Sequence, residues 1–196
     1  MKLGISVATF KSKFGPIVYS TDSLDELDSI FQKLHAFGYD GVDLFIDPTS
    51  ELRASAIKHL LDKNHLEVAM LICIYLAELG VNLTSADEKI RQKSINTYID
   101  QFKIAQILGA KTMPIGFIRG QLEAGDDLSS YQSRLALSLK RLGQEASTYG
   151  ITLCIEPINR YEINSFPDVL SVISFINNYG LVGIRILPDL FHMNIE

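Results

Sequence analysis

From Lys2 to Pro188 the sequence repeats one phrase. A short apolar, β-branched run is followed by a loop, then by a stretch with a hydrophobic period near 3.6, then by Gly or Asn before the next apolar run. Strands are predicted over 2–8, 40–46, 66–73, 111–117, 151–157 and 182–188, and helices over 23–37, 49–63, 86–108, 127–149 and 166–179. Gly38, Asn64, Gly109, Gly150 and Gly180 stand where each helix should stop, a position that often needs φ > 0. Ser23 with Glu26, and Ser85 with Glu88, have capping-box spacing, and Ser165 before Pro167-Asp168 reads as a further start signal. Ile95, Tyr98, Ile99, Phe102 and Ala105 form one helical stripe, and Leu135, Leu139, Leu142 and Ala146 form another. Runs such as Ile151–Ile155 are almost continuously apolar, as expected of parallel strands covered on both faces. Strict alternation leaves a doubly wound sheet or a (β/α)8 barrel. No Gly-x-Gly-x-x-Gly follows the first strand, which weakens the dinucleotide-binding sheet.

Composition narrows the function classes. With 47% hydrophobic residues the 196-residue chain is ordinary for a globular protein, and no apolar run approaches the roughly 20 residues of a membrane span. The N-terminus passes directly into strand-like sequence without a leader pattern. Cys73 and Cys154 lie inside apolar strand patterns, which predicts two buried, reduced thiols and a cytoplasmic protein. The net charge of −5 and the lack of a basic run argue against a nucleic-acid partner.

Two carboxylates carry the strongest chemical signal. Glu156 and Asp189 end consecutive predicted strands and lie 33 residues apart, about one strand–helix unit. A barrel would place them side by side at one mouth, where oxygen ligands from separate strands can converge on a hard cation. Each has a plainer alternative: Glu156 could accept loop amides, and Asp189 could cap a turn after Pro188. His192, in Asp189-Leu-Phe-His192, could be a satisfied core or surface histidine. Glu162 could pair with Arg160 on a solvated loop. Arg119, closing the fourth unit's strand, could meet hydroxyls or a phosphate, or form a rim salt bridge. Asp43 and Asp47 share a strand face with Phe45, and Asp43 reads as a buried hydrogen-bonding group. His35, His59 and His65 read as structural or solvated.

The runs Glu156-Pro-Ile-Asn-Arg-Tyr-Glu162 and Asp189-Leu-Phe-His-Met-Asn-Ile-Glu196 resemble the signature of the ketose 3-epimerases, the tagatose/psicose epimerase branch of the xylose-isomerase-like barrels. Gly80–Asp87, Arg91 and Ala105–Ala110 resemble the third unit of the same superfamily, which also holds sugar-phosphate isomerases. The resemblance implies a metal-dependent barrel acting on a small sugar or sugar phosphate, often as a homo-oligomer. It assigns Glu156 as metal ligand and proton-transferring carboxylate, Asp189 as metal ligand, and Glu162 and His192 as substrate-binding residues; Arg119 joins them as a weaker substrate-binding candidate. The implied reaction removes the proton beside a ketose carbonyl to give a cis-enediolate. Returning it to the opposite face epimerises, and returning it to the neighbouring carbon isomerises. Mn²⁺, Mg²⁺ or Co²⁺ suits the oxygen-rich ligand set, and neither cysteine is placed for zinc.

A complete eight-fold barrel typically takes about 250 residues. The expectation is therefore an α/β, (β/α)8 TIM barrel that is incomplete here: a single domain over 1–196 with about six strands and five helices, stopping after strand six. The family's further metal-binding His and its second acid/base Glu would fall in the missing units seven and eight, so residues 1–196 are expected to be inactive alone. An inositol or keto-acid isomerase or dehydratase of the same superfamily, or a non-catalytic sugar-binding relic, are the alternative readings. An apurinic-site endonuclease is disfavoured, since strands three and four end without the histidines of a zinc cluster.

Overall fold

The computed structural model describes residues 2–11 and 17–196. The chain divides into two compact units, Met1–Tyr75 with Gln101–Met113, and Leu76–Asp100 with Pro114–Glu196.

The first unit holds a four-stranded sheet in the order β2-β1-β3-β4, with β1 at Gly4–Ala8, β2 at Tyr19–Ser20, β3 at Gly41–Phe45 and β4 at Glu67–Ile72. Every pairing is parallel. Parallel neighbours require a crossover, supplied by α1 (Leu24–Ala36) between β1 and β3 and by α2 (Glu51–Lys63) between β3 and β4. The helices bury Leu27, Phe31, Leu34, Ala54, Ile57 and Leu61, all without exposed surface, as are Val42 and Leu44 of β3. Each of these side chains larger than alanine contributes about 1.5–3 kcal/mol on burial. Gly41 is a close-approach position: a Cβ there would lie 2.4 Å from the Glu67 carbonyl oxygen.

A second sheet has the order β5-β6-β7, with β5 at Thr112–Ile115, β6 at Thr152–Ile155 and β7 at Arg185–Ile186; from Pro114 onward its residues belong to the second unit. α5 (Leu128–Thr148) precedes β6, and α6 (Val169–Tyr179) joins β6 to β7. The α5 stripe is fully realised: Leu135, Leu139, Leu142 and Ala146 are buried, with Tyr131 on the same helix. A long helix, α4 (Glu88–Leu108), begins in this unit and ends in the first. Its Ile95, Tyr98, Phe102 and Ala105 are buried, and Ile99 is half-buried.

Several local expectations are corrected. β2 and the single turn α3 (Tyr75–Glu78) were not predicted, and the strand expected over 111–117 ends at Ile115, where Phe117–Arg119 forms a 3₁₀ turn. The strand expected over 182–188 pairs only at Arg185–Ile186, because Gly183 sits at φ +87 and delays the extended backbone. The loop expected after it is the short helix α7 (Leu190–Ile195). Ser23 does cap α1, but the Glu26 carboxylate bonds the Thr21 hydroxyl rather than closing the box on Ser23. At α4 the first-turn amides of Lys89 and Ile90 turn to Asp87 rather than Ser85, and α6 is capped by Asp168, not Ser165. After α2 the positive φ belongs to His65 (φ +54), and Asn64 is at −99.

Both cysteines are free and buried, as expected, and burial raises both thiols above the ordinary cysteine value. Among the described residues no helix is long and apolar enough to cross a membrane.

Candidate metal centre

β6 delivers Glu156 and β7 delivers Asp189. The parallel register Cys154↔Arg185 and Ile155↔Ile186 brings the two strand ends abreast, and the Leu187 amide donates to the Ile155 carbonyl at 2.9 Å. One ligand atom each from Glu156, Asp189 and His192 lie within 4.8 Å of one another. The spacing read from the sequence therefore brings together the two carboxylates and the histidine.

Asp189 is the N-cap of α7, its Oδ1 accepting the Phe191 amide at 2.8 Å, and its carboxylate also faces the cluster. Capping fixes the side chain and turns α7 so that His192, one turn on, returns to the same place. His192 is buried.

Glu156 is the most perturbed carboxyl of the site. Its pKa is pushed up to about 7, first by burial, next by the Asp189 charge and further by Glu162, with Arg119 opposing. Burial disfavours the ionised form, and a second carboxylate disfavours it more. Gly116 makes room for it: a Cβ there would stand 2.9 Å from Glu156 Oε2. An acidic pair whose charge is only partly offset is an oxygen donor set that a hard divalent cation fits, with an imidazole beside it.

Glu162 is not held by Arg160, whose guanidinium bonds the Glu196 carboxylate instead. Glu162 Oε1 accepts from Asn159 Nδ2 at 2.8 Å and stands 3.8 Å from His192 Nδ1. Sequence reasoning passed over Asn159. It lies inside the quoted motif, but its importance depends on three contacts that no spacing rule encodes.

Arg119 lies inside the protein and not at the rim. Its side chain has no exposed surface. Nη1 donates to the Glu156 carbonyl at 2.8 Å, Nη2 to the Ser165 carbonyl at 2.9 Å and Nε to Ser165 Oγ at 3.3 Å. The Phe166 ring lies 6.0 Å away, and Tyr131, bonded to Ser165 Oγ at 2.8 Å, completes the wall. The guanidinium thus lies between the Glu156 and Ser165 main chains, inward of the rim. The physical reason is the 3₁₀ turn after Gly116, which folds the side chain inward where an extended strand would have pointed it to the rim.

In the first unit, Asp43 is half-buried and burial raises its pKa. Asp47 Oδ1 and Thr49 Oγ1, just past β3, are buried and have no hydrogen-bond partner among the described residues. His35, His59 and His65 are exposed.

Comparison with known proteins agrees with this geometry. A probable ketose 3-epimerase of Synechocystis sp. is 23% identical over 199 residues, covering 97% of this chain and 67% of that protein. An L-ribulose 3-epimerase of Mesorhizobium japonicum is 26% identical over 187 residues, covering 91% of this chain and 60% of that protein. The chain thus spans about two thirds of the length of these relatives. The crystal structure of a D-psicose 3-epimerase with D-tagatose, from Clostridium cellulolyticum, superposes on 100% of this chain and 66% of its own at a TM-score of 0.79 and 19% identity, a likeness of fold. Residues 31–196 match the family described as xylose isomerase-like TIM barrel, and with parallel β/α units and a carboxylate pair at adjacent strand ends, the chain belongs to that family.

Proposed function

We propose that the protein is a metal-dependent epimerase or isomerase of a ketose or sugar phosphate, moving a proton on the carbon beside a carbonyl through a cis-enediolate. The observation that carries this reading is the convergence of Glu156, Asp189 and His192 within 4.8 Å at the ends of neighbouring strands. The relatives named as ketose 3-epimerases support the choice of substrate class.

Glu156 and Asp189 are the residues that would hold Mn²⁺, Mg²⁺ or Co²⁺, which when bound supplies Lewis-acid polarisation of the substrate carbonyl. Everything else is done by side chains. Glu156, with a carboxyl near neutrality, can accept a proton from carbon and give it back at physiological pH. Glu162, half-exposed and steadied through Oε1 by Asn159, is the acceptor for a sugar hydroxyl. His192 binds a second oxygen of the substrate. Arg119 holds the main chain of Glu156 in place, so that the carboxylate meets the reacting carbon in one position.

The test is deuterium incorporation at C3 of ketoses, free and phosphorylated, in D₂O with added Mn²⁺. Exchange that requires the cation and vanishes in Glu156→Gln is expected. Full-length, folded protein with no cation-dependent exchange or turnover on any ketose, free or phosphorylated, would overturn the assignment.

A further inference from the structure

The ring of His192 is held by a side chain whose own hydrogen bonds admit one arrangement. Asn159 is 1% exposed. Its Oδ1 accepts the Tyr161 amide at 3.0 Å, and its Nδ2 stands 2.8 Å from Glu162 Oε1 and 2.8 Å from His192 Nδ1. The Tyr161 N–H can only donate, so it selects the amide oxygen as its partner. The amide nitrogen can only donate, and its two protons go to the Glu162 carboxylate and to the ring. Turning the amide over would set Oδ1 against the Glu162 oxygen and an N–H against the Tyr161 N–H. His192 Nδ1 must therefore accept, and a neutral imidazole that accepts at Nδ1 carries its proton on Nε2.

We propose that Asn159 is a positioning residue that locks His192 in the Nε2–H tautomer, so that the ring offers the Glu156–Asp189 site a proton donor and not a lone pair. The consequence separates three residues that proximity alone groups together. A metal-ligating histidine as a rule donates its second N–H outward to a carboxylate or carbonyl. Here Nδ1 accepts a hydrogen bond from Asn159, the reverse polarity. Nε2, the ring nitrogen that Asn159 does not engage, then bears hydrogen, which bonds a hydroxyl or carbonyl oxygen of a bound polyol and leaves the cation to the two carboxylates. Asn159 also orients Glu162 with its other proton, so one buried amide sets a donor and an acceptor side by side for adjacent substrate oxygens. This deepens the proposed function and rests on it for the identity of the substrate, but the state of the ring can be measured without any substrate.

The experiment is ¹⁵N correlation of the His192 ring in the folded protein at mildly alkaline pH, with Mg²⁺ as a diamagnetic probe. A pyridine-type Nδ1 and a pyrrole-type Nε2 are expected, unchanged by Mg²⁺. Asn159→Asp, which replaces the donor with an acceptor, should exchange the two signals and lower kcat about 10–100-fold. A protonated Nδ1 in the wild-type ring, or loss of the Nε2 proton on adding Mg²⁺, would overturn the proposal, and neither observation needs a variant to fold. The expected tautomer in a full-length protein that turns over no ketose would defeat the sugar-epimerase reading and leave the lock standing.

Discussion

Arg119 donates to the main-chain oxygen of Glu156 at 2.8 Å from a position with no exposed surface. A buried cation is therefore fastened to the backbone, not to the carboxylate, of the residue proposed to transfer the proton. Its planar fork also serves Ser165 through both main chain and hydroxyl. Arg119→Lys keeps the charge but cannot fill these directions at once. Leaving one or two buried carbonyls unpaired costs about 1–3 kcal/mol each. The variant should melt roughly 5–10 °C lower and lose kcat more than KM, checked by thermal unfolding and ketose kinetics. A variant that instead raises KM alone would return Arg119 to the substrate.

Two glycines close to the same wall should respond differently to alanine. At Gly120 the backbone is at φ +86, and an added Cβ would stand 2.2 Å from Asn82 Oδ1 and 2.8 Å from Thr84 Oγ1. Asn82 Oδ1 is held in place because it accepts the Thr84 amide at 2.9 Å. Gly120→Ala combines left-handed strain with overpacking and should cost about 2–5 kcal/mol. At Gly116 the added Cβ meets the carboxylate of Glu156, which can rotate away. Gly116→Ala should keep most of the stability but weaken Mn²⁺ binding about tenfold or more. Urea unfolding beside Mn²⁺ titration separates the two, and equal stability losses would contradict the contrast.

The parallel β/α order and the carboxylate pair were legible because both depend on spacing. Apolar period places the helices, and one strand–helix unit between Glu156 and Asp189 places the site. Features set by contact were not legible. The 3₁₀ turn at Phe117–Arg119 looks like more strand, since Phe and Ile suit either, and that misreading sent Arg119 to the rim. Asp87 and Asp168 took the caps expected of Ser85 and Ser165, because cap choice depends on which residue first takes helical geometry. Ser165 was then free to serve Arg119 and Tyr131. Asn159 was invisible for the same reason: an asparagine in a loop is ordinary, and only its three partners make it otherwise.

His65 occupies the left-handed position that ends α2, at φ +54 with an exposed side chain. The helix-terminal bonds, His65 N to the Asp62 carbonyl at 3.1 Å and Leu66 N to the Leu61 carbonyl at 3.0 Å, require that conformation. Glycine adopts it without steric cost, so His65→Gly should stabilise the protein by about 0.5–1 kcal/mol. His65→Val, β-branched, should destabilise by at least ~1 kcal/mol. Denaturant midpoints at constant m-value decide it, and a loss in the glycine variant would mean that the ring contact with His35, at 5.4 Å, outweighs the backbone.

Glu156 should give stability a pH dependence whose sign depends on the cation. Its folded value of about 7 lies above the ordinary 4.5, through burial first and Asp189 second. The folded protein therefore binds this proton more tightly than the unfolded chain does. The associated stabilisation is fully present below pH 4.5 and is lost as pH rises through 7. The difference corresponds to on the order of 3 kcal/mol, or a fall in melting temperature of roughly 6–12 °C. A bound divalent cation favours the ionised carboxylate instead, so Mn²⁺ should restore stability on the alkaline side, by about 2.7 kcal/mol at a hundredfold excess over Kd. Melting curves from pH 4.5 to 8, with and without Mn²⁺, test both halves. Glu156→Gln should abolish this slope and most of the cation response. If wild type and variant lose stability in parallel as pH rises, the buried carboxyl is not the group responsible.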